Sequence, residues 1–221
     1  MTKLRTVVSV AAALALAACQ ETASPVSSNS PSARPAFAVG GGQSGLTLHP
    51  GGLGEQSFAK WEAHEGEPDS KGNADQALYF QKLTATATFA AAFAVIDGLQ
   101  GQAASELTDL SWEHRPDGWC GAGAPRWNVV VTDGGGDHTV FLGCNAATHS
   151  PGGTDGWIKD SYSESDIQSA MAAVGVDLTN ATINSLAILF DEGTDVGPGF
   201  VFLDNITVNA TVWTKPADNS N

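Results

Sequence analysis

Positive charge is what this chain has least of: its 221 residues carry ten Lys and Arg against 24 Asp and Glu, a formal net charge of −14 at pH 7. The few basic residues do not cluster. Phosphate backbones are held by clustered Lys and Arg, so nucleic acid is not an expected partner. Cysteine is scarce as well, three in all, and neither Cys120 nor Cys144 is flanked by the further thiols or spaced histidines that a zinc site asks for. The leading apolar run, residues 7–18, is too short to span a bilayer. Missing too are a Gly-x-Ser-x-Gly elbow, a His-Glu-x-x-His helix and a phosphate loop, which leaves no catalytic motif and an expectation that the protein is not an enzyme.

What the chain does have begins with an export leader. Lys3 and Arg5 precede the apolar run, and Leu16-Ala17-Ala18-Cys19 follows, the layout of a secretory signal over residues 1–18. The last four of these resemble the bacterial lipobox. That resemblance implies cleavage before Cys19 and diacylation of its thiol, so that the protein is held to the cell envelope by a lipid anchor only. Gln20 stands where an inner-membrane retention signal carries Asp, which by the same resemblance implies the outer membrane. A cut after Ala15-Leu16-Ala17 is the other reading and gives a secreted protein. Residues 19–39 are rich in Ser, Pro, Ala and Thr with little to bury and read as a disordered tether; residues 40–215 read as one domain and 216–221 as a disordered tail. With Cys19 acylated, Cys120 and Cys144 remain as a pair in an oxidising compartment. A disulfide between them is expected, stabilising the fold by about 3 to 4 kcal/mol in the chain-entropy model.

The domain alternates like strands. Leu46 and Leu48 mark a first edge strand, residues 77–83 and 85–96 two more, and residues 107–114 a fourth with Leu110 and Trp112 on one face and Glu113 on the other. Residues 127–131 and 139–142 form a hairpin whose tip, Asp133 to Asp137 around three glycines, reads as a turn before it reads as a cation loop. Ser165 to Gln168 has the shape of a capping box and opens a short helix that Gly175 ends, a connector over one end of the sandwich. At the end, residues 183–190 and 200–212 read as a hairpin closing a two-sheet shell. In its second strand a period of two puts Phe200, Phe202, Ile206 and Val208 on the core face and sends Asp204 there with them. The fold class is therefore all-β, a β-sandwich with one connector helix.

The run Gly199-Phe200-Val201-Phe202-Leu203-Asp204-Asn205-Ile206-Thr207-Val208 resembles the last strand of jelly-roll carbohydrate-binding modules of the galactose-binding-like type. The resemblance implies a jelly roll, a glycan ligand and a structural calcium held in part by Asp204, with Glu55 and Glu62 as partners by position. The residues leave open a second account of Asp204, in which a strand bulge turns backbone N–H groups onto the carboxylate. Sugar binding in such modules uses aromatic rings, and Trp119, Trp127 and Trp157 border glycine-rich loops, whereas Trp61, Trp112 and Trp213 look like packing.

Other chemistry is weaker. Glu62, His64, Glu65, Glu67 and Asp69 offer metal donors but match no defined calcium loop. Hydrolysis of a glycoside needs two carboxylates facing across a groove at about 5 to 10 Å. Glu113, Asp191, Glu192 and Asp204 are the acids on or beside strands, yet alternation puts Glu113 and His114 on opposite faces. The expected function is thus a non-catalytic envelope β-sandwich that binds glycan. An assembly lipoprotein that binds another envelope protein is the alternative, and a jelly-roll hydrolase or lyase comes after both.

Overall fold

The structure is a computed structural model and describes residues 45–68, 74–84, 90–121, 123–192 and 197–216. The expected signal, Cys19, the tether, the tail past residue 216, Asp69 and the start of the expected strand 85–96 lie outside the described residues. The described residues all belong to one unit of the chain, and no helix among them is long and apolar enough to cross a membrane.

Among the described residues twelve strands and one α-helix follow in order: β1 (Thr47–Leu53), β2 (Ser57–Glu62), β3 (Ala77–Lys82), β4 (Ala91–Asp97), β5 (Asp109–His114), β6 (Arg126–Asp133), β7 (Gly136–Gly143), β8 (Thr148–Pro151), β9 (Ile158–Ser163), α1 (Glu164–Ala173), β10 (Thr182–Phe190), β11 (Phe200–Val208) and β12 (Thr211–Trp213). They pair antiparallel in two sheets, one of five strands in the order β1-β4-β10-β6-β7, the other of seven in the order β2-β3-β11-β5-β9-β8 with β12 also on β11. The halves β4-β10-β6-β7 and β3-β11-β5-β9 interleave along the chain as a jelly roll does. The expected all-β sandwich with one short helix is therefore the architecture observed.

Alternation places the core. Leu78 and Phe80 of β3, Leu110 and Trp112 of β5, and Val201, Leu203, Ile206 and Val208 of β11 face Ala92, Ala94 and Ile96 of β4, Trp127, Val129 and Val131 of β6, and Leu186, Ile188 and Phe190 of β10, all with no exposed surface. Trp112 and Trp127 meet across the sheets with ring centroids 5.1 Å apart. The alanines of β4 leave room for these indoles, and partners on both sides fix a strand that alanine alone would not.

The final ribbon is not the hairpin its sequence suggests. β10 lies between β4 and β6 in one sheet, and β11 lies between β3 and β5 in the other, so the segment after Phe190 carries the chain across the sandwich. The hairpin that does end the fold is β11 with β12, turning at Asn209, whose φ of 53° is the left-handed conformation Asn tolerates. Nor does β11 keep one phase. Its register with β5 shifts between Asp204 and Thr207, and Asn205 sits at φ 46°: a bulge. Val201 and Leu203 point inward before it and Ile206 and Val208 after it. Phe200, Phe202 and Asp204 consequently occupy the outer face, not the core face.

Two strands went unread: β2, whose alternate Phe58, Lys60 and Glu62 look like a solvated loop, and β8, which is exposed at every position. The helix starts earlier than its Ser165 signal. Ser163 is the N-cap, its Oγ accepting from the Asp166 N–H while Asp166 accepts from the Ser163 N–H at 2.9 Å. Gly175 ends the helix at φ 84°, as expected. Cys120 and Cys144 form the expected disulfide, with Cα atoms 5.6 Å apart, and tie the loop after β5 to the 3-10 turn Cys144–Ala146 after β7. One covalent link thus spans the two sheets.

Candidate functional site

The outer face of the seven-stranded sheet carries an aromatic platform. Antiparallel register lines up Phe58 of β2, Gln81 of β3 and Phe200 of β11 in one row, and Lys60, Tyr79 and Phe202 in the next. The Arg115 N–H donates to the Phe202 carbonyl at 3.1 Å, which extends the second row by one residue. Tyr79 is the hub: its ring centroid lies 4.7 Å from that of Phe202, 6.0 Å from Phe58 and 6.2 Å from Phe200. Cross-strand aromatic pairs of this kind stabilise a sheet face.

Charged groups frame the rings. The Arg115 guanidinium stacks 3.8 Å above the centre of Phe202, is held by Glu65 and Asp117, and keeps its charge because those acids outweigh its desolvation. Lys60 sits 5.4 Å from the Phe58 centroid and 2.6 Å from Glu62. Lys60, Glu62, Glu65 and Arg115, with the four rings, Ala63 and Gln81, line an open groove of about 460 Å³. Tyr79 donates to Gln81 at 3.0 Å, and burial holds its hydroxyl above the usual tyrosine range.

Below the groove the same face holds three buried acids, Glu67, Glu113 and Asp204. Asp204 and Glu113 are register partners on β11 and β5. Asp204 accepts the Glu67 N–H at 2.8 Å and the Asn205 N–H at 2.7 Å, which is the bulge account of this carboxylate. Glu67 accepts from the Thr154 N–H and from Asn205 Nδ2, at 2.7 and 2.8 Å, and Glu113 accepts the Gly153 N–H at 2.6 Å. Glu67 and Glu113 share a hydrogen bond, and burial, that bond and the two neighbouring carboxylates push Glu67 up to about 7. A Cβ on Gly152 would meet Glu113 Oε2 at 2.6 Å, and one on Gly153 would meet Glu67 Oε2 at 2.9 Å. Glycine is what lets this loop settle onto the acids.

The predicted ring donors are elsewhere. Trp127 is fully buried against Trp112, Trp157 is 8% exposed in a small cluster with Ala77 and Phe202, and half-buried Trp119 lies against the backbone of Gly197 and donates to the Gly121 carbonyl. The reasons differ: Gly121 and Gly197 let main chain close on the Trp119 ring, Gly152 packs close to Trp157, and Trp127 has the inward phase of β6. Nor are Glu55 and Glu62 partners of Asp204, since Glu55 lies in the β1–β2 turn and Glu62 pairs with Lys60 two strands away. The donors between residues 57 and 68 scatter, Glu62 to Lys60, Glu65 to Arg115 and Glu67 to the acid trio. Asp133 works as a turn residue. N–H groups of Asp177 and Gly135 and the His138 ring lower it to about 2. Asp191 is held by two 2.5 Å bonds from Arg126, far from Glu113 in the fold.

Glu113 and His114 do separate. Glu113 joins the acid trio outside, and His114 turns inward to Asp160. Phe58 and Tyr79 were passed over as site residues, Phe200 was put on the core face, and Glu67 was grouped with the metal donors of residues 62–69. The available signal was phase: in β3 and β11 the aliphatic positions Leu78, Val201 and Leu203 already supply a core face, which leaves Tyr79, Phe200 and Phe202 for the other. No family model, curated protein or solved structure matches this chain.

Proposed function

We propose that this protein is a non-catalytic, envelope-anchored binding module that takes a glycan on the outer face of its seven-stranded sheet. The observation that carries the reading is the groove itself: Phe58, Tyr79 and Phe200 present partly exposed rings beside planar, hydrogen-bonding side chains, Arg115, Glu65, Glu62 and Gln81. Sugars present apolar C–H faces edged by hydroxyls, and rings flanked by such groups match both. The groove balances two cations, Lys60 and Arg115, with two acids, Glu62 and Glu65, which suits an uncharged sugar. An open groove rather than a closed pocket suits a chain passing across the sheet. The lipobox-like Leu16 to Cys19 supports the envelope address.

The acid trio is a strut in this reading. Its Glu67 and Glu113 carboxyls touch, whereas glycoside hydrolysis places substrate and water between acids about 5 to 10 Å apart. Among the described residues the trio accepts N–H groups of Glu67, Gly153, Thr154 and Asn205, which satisfy carboxylates without metal and favour proton sharing over calcium. Screening the protein on a glycan array, then titrating the best oligosaccharide by calorimetry, tests the proposal. Binding that Phe200→Ala and Tyr79→Ala abolish supports it. No signal on the array, or binding indifferent to both substitutions, removes the glycan and leaves a protein partner.

A further inference from the structure

Behind the sheet face, the inner end of β5 holds a polar cluster that a disulfide staple does not require. Asp160 of β9 has no exposed surface, yet three nitrogens converge on its carboxylate. Oδ2 lies 2.7 Å from Trp112 Nε1 and 2.6 Å from His114 Nδ1, and Oδ1 lies 2.7 Å from His149 Nδ1. The remaining side of Oδ2 is occupied by Cys144 Sγ at 3.1 Å. A disulfide sulfur has no proton to donate, so in the oxidised protein this contact is not a hydrogen bond.

The ligand atoms of His114, Cys120, Cys144 and Asp160 all lie within 4.8 Å of one another, and they are the one such group among the described residues. They arrive from four separate segments: β5, the loop after it, the turn after β7, and β9. We propose that the dithiol form of this protein binds a zinc ion between the two thiolates, the His114 imidazole and the Asp160 carboxylate. Two thiolates, an imidazole and a carboxylate are a tetrahedral zinc donor set.

Two adjustments shape the site. With Zn–N and Zn–O near 2.0 Å and Zn–S near 2.3 Å, ligand atoms in a tetrahedron stand about 3.3 to 3.8 Å apart. Opening the His114–Asp160 contact by about 0.7 Å and parting the sulfurs supplies that space. Outer partners are already in place: the Trp112 N–H stays on Asp160, and His149, half exposed at the edge strand β8, holds its other oxygen. Such groups orient a metal-binding carboxylate.

The step balances. A dithiol reductant gives two electrons and two protons to the Cys120–Cys144 bond, leaving two thiols and its own disulfide. Zinc then displaces both thiol protons to solvent. The link between the sheets changes from covalent to coordinate, and the sandwich stays tied in either redox state.

Cobalt(II) replaces zinc as a visible probe. The full chain, reduced anaerobically with excess dithiothreitol, is passed through a desalting column and titrated with cobalt chloride, then back-titrated with zinc. Uptake of one cobalt per chain with thiolate charge-transfer and tetrahedral d–d bands, bleached by zinc and absent from the oxidised protein and from Cys120→Ser, is the expected result. If reduction unfolds the chain, zinc is expected to restore its β-sheet circular dichroism. Reduced protein that takes up no cobalt, bands unchanged in Cys120→Ser, or an unfolded dithiol form that zinc fails to refold overturns the proposal.

Discussion

Glu67 carries a pH dependence with a definite sign. Its carboxyl is held at about 7 in the folded protein against an ordinary 4.5, so the neutral form is the one the fold prefers. Stability from this group is complete below about 4.5 and is lost as pH rises through about 7. Urea unfolding between pH 4.5 and pH 8 should show a falling midpoint, and Glu67→Gln, which keeps a neutral hydrogen-bonding head, should flatten the fall. An identical slope in the variant would place the proton elsewhere. Asp133 has the opposite sign: held at about 2 by N–H donors, it contributes above its ordinary value and stops contributing as pH drops through about 2. Trp127 separates packing from binding. Trp127→Ala removes a fully buried ring from the inter-sheet contact and should cost about 3 to 5 kcal/mol in chemical unfolding. A loss near zero would mean that the indole is not core.

Among the elements, β11 decides which residues the sheet displays. Deleting Asn205 takes out the extra residue of the bulge and leaves a regular alternation in which Ile206 and Val208 keep the core face, while the Asn205 Nδ2 contact to Glu67 is lost. That deletion should still fold cooperatively but melt at a lower temperature, whereas Asn205→Gly, which accepts φ 46° without strain, should stay closer to the parent. Circular dichroism and thermal melts read both, and a deletion variant that fails to fold would contradict this phase assignment. The bulge is also where the sequence was hardest to read. Alternation located β3, β5, β6, β7 and the inward phase of Leu110 and Trp112, because those strands keep one phase from end to end. In β11 the count of two ran straight through Asn205 and moved Phe200, Phe202 and Asp204 to the wrong side. Asp-Asn inside an apolar strand was the cue, since both residues favour the irregular backbone a bulge needs. Pairing is a further step removed: β10 and β11 are neighbours in sequence and belong to opposite sheets, and strand periodicity carries no information about which sheet a strand joins. The acid trio was illegible for the same reason, as Glu67 and Glu113 are brought together by a loop, residues 152–154, that lies far from both in the chain. In the reading proposed above that trio is a metal-free strut. Adding calcium or EDTA at pH 7 should leave the melting temperature unchanged, and a rise of several degrees with calcium would reverse that assignment.

At the scale of the molecule, the sandwich has one staple between sheets and one platform outside. Reducing Cys120–Cys144 in the absence of metal should cost about 3 to 4 kcal/mol, as expected for a loop of 24 residues, and equilibrium unfolding with and without reductant measures it. The two sheets differ in their outer faces. On the five-stranded sheet Phe141 of β7 stands largely exposed with Arg126 5.3 Å away, an isolated contact. On the seven-stranded sheet four rings join into a surface framed by paired charges. Excess acid over the whole chain keeps copies of the protein apart and disfavours polyanions, which again points the groove toward uncharged ligands. The most direct test labels that surface. Two-dimensional NMR of the protein titrated with the oligosaccharide that the array selects should shift resonances of Phe58, Tyr79, Phe200 and Arg115 and leave those of Trp119, Trp127 and Trp157 in place. Shifts confined to the tryptophan loops, or to Phe141 and the five-stranded sheet, would contradict the assignment of this face as the binding site.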